Sequence, residues 1–168
     1  MAKRSFNVTN VTPTATADAA TPLATNTTLG VLQGGAATQR NKISEIYMGG
    51  LAAASAPGVM VAAMNSVAAT VILVGTDGRD APLDGATAAL AAPAAAGRAY
   101  TIAPQRSATL HILQLAFNAF GGIVRWLAAP NEDIGIVGLA VDTGSFSLSA
   151  FTGGTTGPMS SHFIYESL

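Results

Sequence analysis

The stretch FGGIVRWLAAPNEDIGIVG, Phe120 to Gly138, decides how this chain is read. It holds the only tryptophan, Trp126, beside Arg125, and it holds the adjacent acids Glu132 and Asp133. The 168-residue chain carries only eight basic and nine acidic side chains, so charge gathered around an indole invites assignment as a site. Backbone chemistry accounts for the cluster more directly. In GIVRWLAA, Ile123, Arg125 and Leu127 alternate with Val124 and Trp126, which is a strand pattern. APNE places Pro130 and Asn131 at the second and third positions of a turn, predicting type I. DIGIVG then leaves as a second strand with Ile134 and Ile136 on one face. The expectation is a β-hairpin. Its tip, Asn131 to Asp133, stays hydrated, and Arg125 pairs with an acid on the facing strand. Trp126 anchors one sheet face, in the core or at a subunit contact, with the core preferred.

Similar patterns run outward in both directions. SFSLSAF (145–151) is the clearest alternation, with Phe146, Leu148 and Ala150 on one side and Ser145, Ser147 and Ser149 on the other. LGVLQGG (29–35), NKISEIYMGGLA (41–52), GVMVAAMNS (58–66), ATVILVG (69–75) and SHFIYES (161–167) read as further strands, with a turn expected near Asn65-Ser66-Val67. SATLHILQLAFNAFGG (107–122) fits a helix or a strand. The strand is preferred, with His111, Leu113, Leu115 and Phe117 on one face and Leu110, Ile112 and Gln114 on the other. Only DGRDAPLDGATAALAAPAAAG (77–97) changes character: Asp80 or Asp84 can cap a short helix that ends at Pro93. Nine or ten short strands with Gly, Pro and Asn turns predict an all-β antiparallel sandwich of jelly-roll type, with one short helix in a loop. Residues 1–28, rich in Thr, Ala and Asn, read as an extended N-terminal arm with a strand at Phe6 to Val11, and 29–168 as one sandwich domain.

Composition narrows the function. Charge is 10% of residues, alanine dominates the apolar half, and there are eighteen glycines and eight prolines. A small, weakly charged surface suits burial in an assembly. Net charge is −1 and Lys3-Arg4 is the only adjacent basic pair, so a phosphate-binding stripe for nucleic acid is not expected. With no cysteine there is no disulfide framework or thiol chemistry. No apolar run follows Lys3-Arg4, so no signal peptide is read, and the sequons at Asn7, Asn10 and Asn26 are taken as chance. Ile46 to Thr76 carries no charge, but Gly49-Gly50, Pro57-Gly58 and Asn65-Ser66 cut it into pieces of strand length, against a membrane span.

Chemistry has few candidates. His111 and His162 lack ligands at metal spacing and read as core or interface residues. Asp77, Asp80 and Asp84 share a loop that could hold Ca²⁺, although turn and capping roles explain all three. Glu45, Glu132, Asp133 and Asp142 could form a hydrolytic carboxylate pair, yet each sits beside a turn or strand end. No Gly-x-Ser-x-Gly elbow occurs, and the glycine-rich pieces lack the lysine of a phosphate loop. No catalytic residue, cofactor or metal is expected.

RSFNVTNVTPT (4–14), ISEIYMGG (43–50), AFNAFGGIVRWLAAPNEDIGIVG (116–138) and TTGPMSSHFIYESL (155–168) resemble small structural proteins of tailed bacteriophages and prophages. Similar small β-sandwich proteins in tailed phages decorate the head as cement proteins. The resemblance implies a non-enzymatic virion protein on the outer capsid surface, made in the bacterial host cytoplasm, commonly a homotrimer, that bridges major capsid protein subunits. It carries no catalytic residue. The expected contacts with self or capsid are Phe6, Val8 and Val11 of the arm, with Arg125 and Trp126. A phage fibre or tail component, or a lectin-like surface-binding sandwich using Asp77, Asp80 and Trp126, is the alternative.

Overall fold

A computed structural model of the chain describes residues 3–9, 11–13, 18–20, 28–34, 36–50, 52–67, 70–72, 81–83, 95–97, 99–102, 105–138, 144–151 and 159–168. Among them the regular structure is entirely β, and no helix is present. The strands are β1 (Lys3–Thr9), β2 (Val11–Pro13), β3 (Asp18–Ala20), β4 (Thr28–Gln33), β5 (Arg40–Gly50), β6 (Pro57–Val67), β7 (Thr70–Ile72), β8 (Ala81–Pro82), β9 (Ala95–Gly97), β10 (Ala99–Ile102), β11 (Gln105–Asn118), β12 (Ile123–Leu127), β13 (Ile134–Val137), β14 (Ser145–Phe151) and β15 (Met159–Ser167). Two antiparallel sheets form the sandwich. The first has the order β12-β5-β15-β1-β8, with β13 also on β5, and the second the order β11-β6-β14-β4-β9. The small pairs β7–β10 and β2–β3 stand apart from them. The helix expected before Pro93 and the loop acids Asp77, Asp80 and Asp84 lie outside the described residues. In the segment expected to be an arm, β1 pairs along its whole length with β15 of the same chain.

The core lies between the sheets. Ile43, Ile46 and Met48 of β5 meet Phe163 and Tyr165 of β15 on one side. Met60 and Ala62 of β6, Leu32 of β4, and Phe146 and Leu148 of β14 face them. Phe146 and Phe163 join the layers edge to face, with ring centroids 6.0 Å apart. Such a contact adds directional preference to the burial of two rings.

The opening stretch does not form a hairpin. β12 pairs with β5 from Ile123↔Gly49 to Leu127↔Glu45, and β13 continues along the same strand from Ile134↔Ile43 to Val137↔Arg40. Both therefore run antiparallel to β5 in one direction, as a single edge strand interrupted at 128–133. The interruption sits opposite a bulge. Ile164 faces Glu45 but the next residue, Tyr165, faces Ile43, so Ser44 is the extra residue on β5. The Ala128 N–H donates to the Ser44 carbonyl at 2.9 Å, and the Ser44 hydroxyl donates to the Ile164 carbonyl at 3.3 Å. The bulge is what lets Ile43 and Ile46, three apart, both enter the core. Strict alternation would put one of them in solvent, at a cost of about 2 kcal/mol.

The turn inside the interruption also differs from the expected type I. The Glu132 N–H donates to the Ala129 carbonyl at 2.9 Å, with Pro130 second and Asn131 third, and Asn131 has φ +69°. A positive φ at the third position belongs to a type II turn, which Asn tolerates better than most non-glycine residues.

Two crossovers between the sheets lie side by side. The segment from β5 to β6 is bound to the one from β11 to β12: Ala52 N–H donates to the Ala119 carbonyl at 2.9 Å, and Ala119 N–H to the Ala56 carbonyl at 3.1 Å. The Asn118 Oδ1 accepts from Ala56 N–H at 2.9 Å and Phe120 N–H at 3.0 Å. A Cβ at Gly50 would come within 2.6 Å of the Ala119 Cα, so a bare residue is required there.

The turn expected at Asn65-Ser66-Val67 is strand instead, because Asn65 has partners in the sheet. Its Nδ2 donates to Ser145 Oγ at 2.8 Å, and Ser147 Oγ donates to its Oδ1 at 2.6 Å, with all three buried. Ser145 and Ser147 of β14 thus line a buried polar seam. β11 is a strand, with Phe117 buried and Leu113 and Leu115 packed on the core. His111 is exposed there and is not a core residue, since register shifts on either side of it break the alternation.

Replacing Asn131 with Gly is expected to leave stability within about 0.5 kcal/mol, while Asn131→Val costs about 1–2 kcal/mol, because a β-branched residue resists positive φ. Urea unfolding of both variants measures the difference.

Candidate functional site

The outer face of the first sheet carries a row of linked polar and aromatic side chains. It is built by register. Arg125 of β12 lies opposite Tyr47 of β5, and Tyr47 lies opposite His162 of β15. The three side chains form a row across three strands, with Glu45 two residues along β5 on the same face. The Arg125 guanidinium binds the Glu45 carboxylate through Nη2 at 2.7 Å and Nε at 3.1 Å, both to Oε2. The Tyr47 hydroxyl donates to that same oxygen at 2.6 Å. Arg125 also lies over the Tyr47 ring, 5.2 Å from its centroid, a cation–π contact. His162 meets the other side of the ring edge-on, with centroids 6.0 Å apart.

Electrostatics follow from these contacts. Hydrogen bonding to Glu45 raises the Tyr47 pKa above its ordinary value, and the same carboxylate raises that of Arg125. Burial holds the His162 imidazole below its usual pKa, against a smaller attraction from Glu45 that favours protonation. The pair Glu45–Arg125 is close to neutral as a unit. It is also open to solvent, with the Arg125 side chain 51% exposed, so its weight in stability is small.

Beside this row the face is hollow. An open pocket of about 420 Å³ is floored by Gly49 and walled by Tyr47, Ile123, Ser160, His162 and Ile164. Gly49 makes the hollow: its neighbours in register are Ile123 and Ser160, and it contributes no side chain between them.

The residues expected as contacts separate. Arg125 and Trp126 are consecutive but face opposite ways. Arg125 is on the outer face, and Trp126, half-buried, packs against the core beside its register partner Ile46. The acid partner expected for Arg125 is Glu45, and it belongs to β5, not to a hairpin arm. Phe6 and Val8 fall in β1, in register with Phe163 and Ser161, and Val11 falls in β2. Glu132 and Asp133 sit in the interruption of the edge strand, exposed and half-buried respectively. No group of three His, Cys, Asp or Glu side chains able to hold a metal occurs among the described residues, and no helix there is long and apolar enough to cross a membrane. Tyr47, His162 and Gly49 were not singled out as a unit from sequence. The spacing of Glu45 and Tyr47 on one strand face was the available signal, but nothing local says that β12 and β15 flank them.

The chain matches no protein-family model, no curated protein and no solved structure.

Trp126→Ala should lower the unfolding free energy by about 2–3 kcal/mol, somewhat under the cost for a fully buried aromatic. Arg125→Ala should leave the denaturation midpoint unchanged, so a urea titration of the two variants separates the core face from the outer face. His162 sets a pH dependence. Its folded pKa lies below the unfolded value near 6.5, so between the two the unfolded chain binds more protons. Its contribution to stability is present above pH 6.5 and is lost as pH falls through that window. Melting curves from pH 8 to 5 should show the decline, and His162→Gln should flatten it.

Proposed function

We propose that the chain is a non-enzymatic structural protein that acts by assembly: a decoration protein on the outer surface of a tailed-phage head, where homotrimers bridge major capsid protein subunits. The observation that carries this reading is an unprotected apolar edge. β11 and β12 end their respective sheets and are joined by the short crossover at 119–122. Leu110 and Ile112 on β11, Phe120 in the crossover, and Ile123 and Leu127 on β12 are all exposed, Ile123 at 76% and Leu127 at 56%. Large aliphatics on free strand edges invite pairing with another chain, and proteins that stay monomeric usually blunt such edges with charge or proline. Here one charged side chain, Arg125, lies along β12, and Glu45 already engages it. The low overall charge agrees with a surface meant to be covered.

The topology supports the same reading. With β12 and β13 counted as one interrupted strand, the eight long strands fall four to a sheet and change sheet at every step in chain order except β6 to β11, which pair within the second sheet, an arrangement suited to two interlocked Greek keys of a jelly roll. The resemblance in residues 4–14, 43–50, 116–138 and 155–168 to tailed-phage structural proteins supplies the site of assembly. A protein that binds only the completed lattice stabilises it by mass action.

Light scattering of the purified protein is expected to give about three times the 16.8 kDa chain mass. The protein should co-sediment with heads assembled without it, and Ile112→Lys with Leu127→Lys should abolish both behaviours without lowering the melting temperature. A wild-type monomer that does not bind heads overturns the proposal.

A further inference from the structure

We infer that the pocket floored by Gly49 is a binding site for an uncharged sugar residue, bordering the apolar edge used in assembly at Ile123. Its size falls in the range of small-ligand pockets, about 300–1,000 Å³. Its walls are of two kinds. Ile123 of β12 and Ile164 of β15 offer apolar surface, which suits the C–H groups of a pyranose. Ser160 and His162, on β15 beside Ile164, offer polar groups. Burial disfavours the charged imidazole, so His162 brings no charge to the pocket at neutral pH.

Charge decides the ligand class. Among the described residues the ions beside the pocket are Glu45 and Arg125, which pair with each other, with Tyr47 donating to the same carboxylate oxygen. No net charge is left to draw a phosphate or a carboxylate, and an anionic ligand would have to compete with Glu45 for Arg125. A neutral, hydroxylated ligand meets no such competition. The hollow is also built from the backbone up. Gly49 has its nearest neighbours, Ser160 Oγ, the Gly122 carbonyl and Ile123 Cγ1, at 3.9–4.0 Å from a notional Cβ. A side chain would therefore fit at this position without displacing the backbone, so steric need does not explain the glycine as it does at Gly50.

The same geometry makes the test clean. Methyl glucoside, methyl galactoside, methyl mannoside and N-acetylglucosamine are titrated into the full-length protein, with glucuronate as the charged control, and amide shifts are followed by NMR. At least one neutral sugar is expected to shift the signals of Tyr47, Gly49, Ile123 and His162 with a dissociation constant of about 1 mM or tighter, and glucuronate to bind at least tenfold more weakly. Gly49→Val fills the floor and Ser160→Leu fills it from the opposite strand. Each should weaken binding more than tenfold at an unchanged melting temperature, and either suffices if the other misfolds. Absence of shifts with every neutral sugar, stronger binding of glucuronate, or undiminished binding to a folded filled variant overturns the assignment.

Discussion

One extra residue in β5 organises the first sheet. Ser44 is skipped in pairing with both neighbouring strands, and its polar atoms are taken up locally, the carbonyl by Ala128 N–H and the hydroxyl by the Ile164 carbonyl. Because side chains alternate strictly along a strand, that single insertion resets which face each later residue occupies. Ile43 and Ile46 can both be interior. Glu45 and Tyr47 are sent outward together. The neighbouring edge strand, forced to accommodate the same step, breaks at 128–133 and resumes at Ile134 in register with Ile43. The core, the outer polar row and the excursion bearing Asn131 are thus consequences of one bulge.

The other half of the sandwich is held by a different device. Met60, Ala62, Phe146 and Leu148 supply the interior, but the reverse face of the same strands is buried as well, with Val61, Ala63, Asn65, Ser145 and Ser147 inaccessible. Polar groups can lie there only if their hydrogen bonds are met within the protein. Asn65 meets this condition by joining the two serines, so the chain is polar in composition at that seam and still solvent-free. The two sheets are kept in step at one end by Asn118 and Ala119, which tie two crossovers into a single hydrogen-bonded corner.

Trp126 and Arg125 show how adjacent residues divide labour. One strand step separates them, and it turns the indole to the core and the guanidinium to the outer face. A cluster that looks like one site in sequence is two unrelated environments in space. The row of Arg125, Tyr47 and His162 is the reverse case: residues far apart in the chain, none conspicuous alone, become neighbours because three strands align.

The alternation in SFSLSAF, GIVRWLAA and DIGIVG was enough to specify strands, the all-β class, and the shared face of Phe146 with Leu148 and of Ile134 with Ile136, since period-two burial is a local property of extended backbone. The irregularity was present in NKISEIYM as well: Ser44-Glu45 between Ile43 and Ile46 breaks the period. Its meaning was not local. Whether Pro130-Asn131 reverses the chain or merely bulges it depends on which strand receives Ile134, and that is settled by pairing with β5, some ninety residues earlier in the chain. Asn65 likewise reads as a turn former until Ser145 and Ser147, some eighty residues on, satisfy it. Residue type and spacing determined the strands and their faces. Partner, register, and therefore the outer row and its Gly49 hollow were decided by tertiary structure, because hydrogen bonds between strands join residues whose separation along the chain leaves no periodic trace.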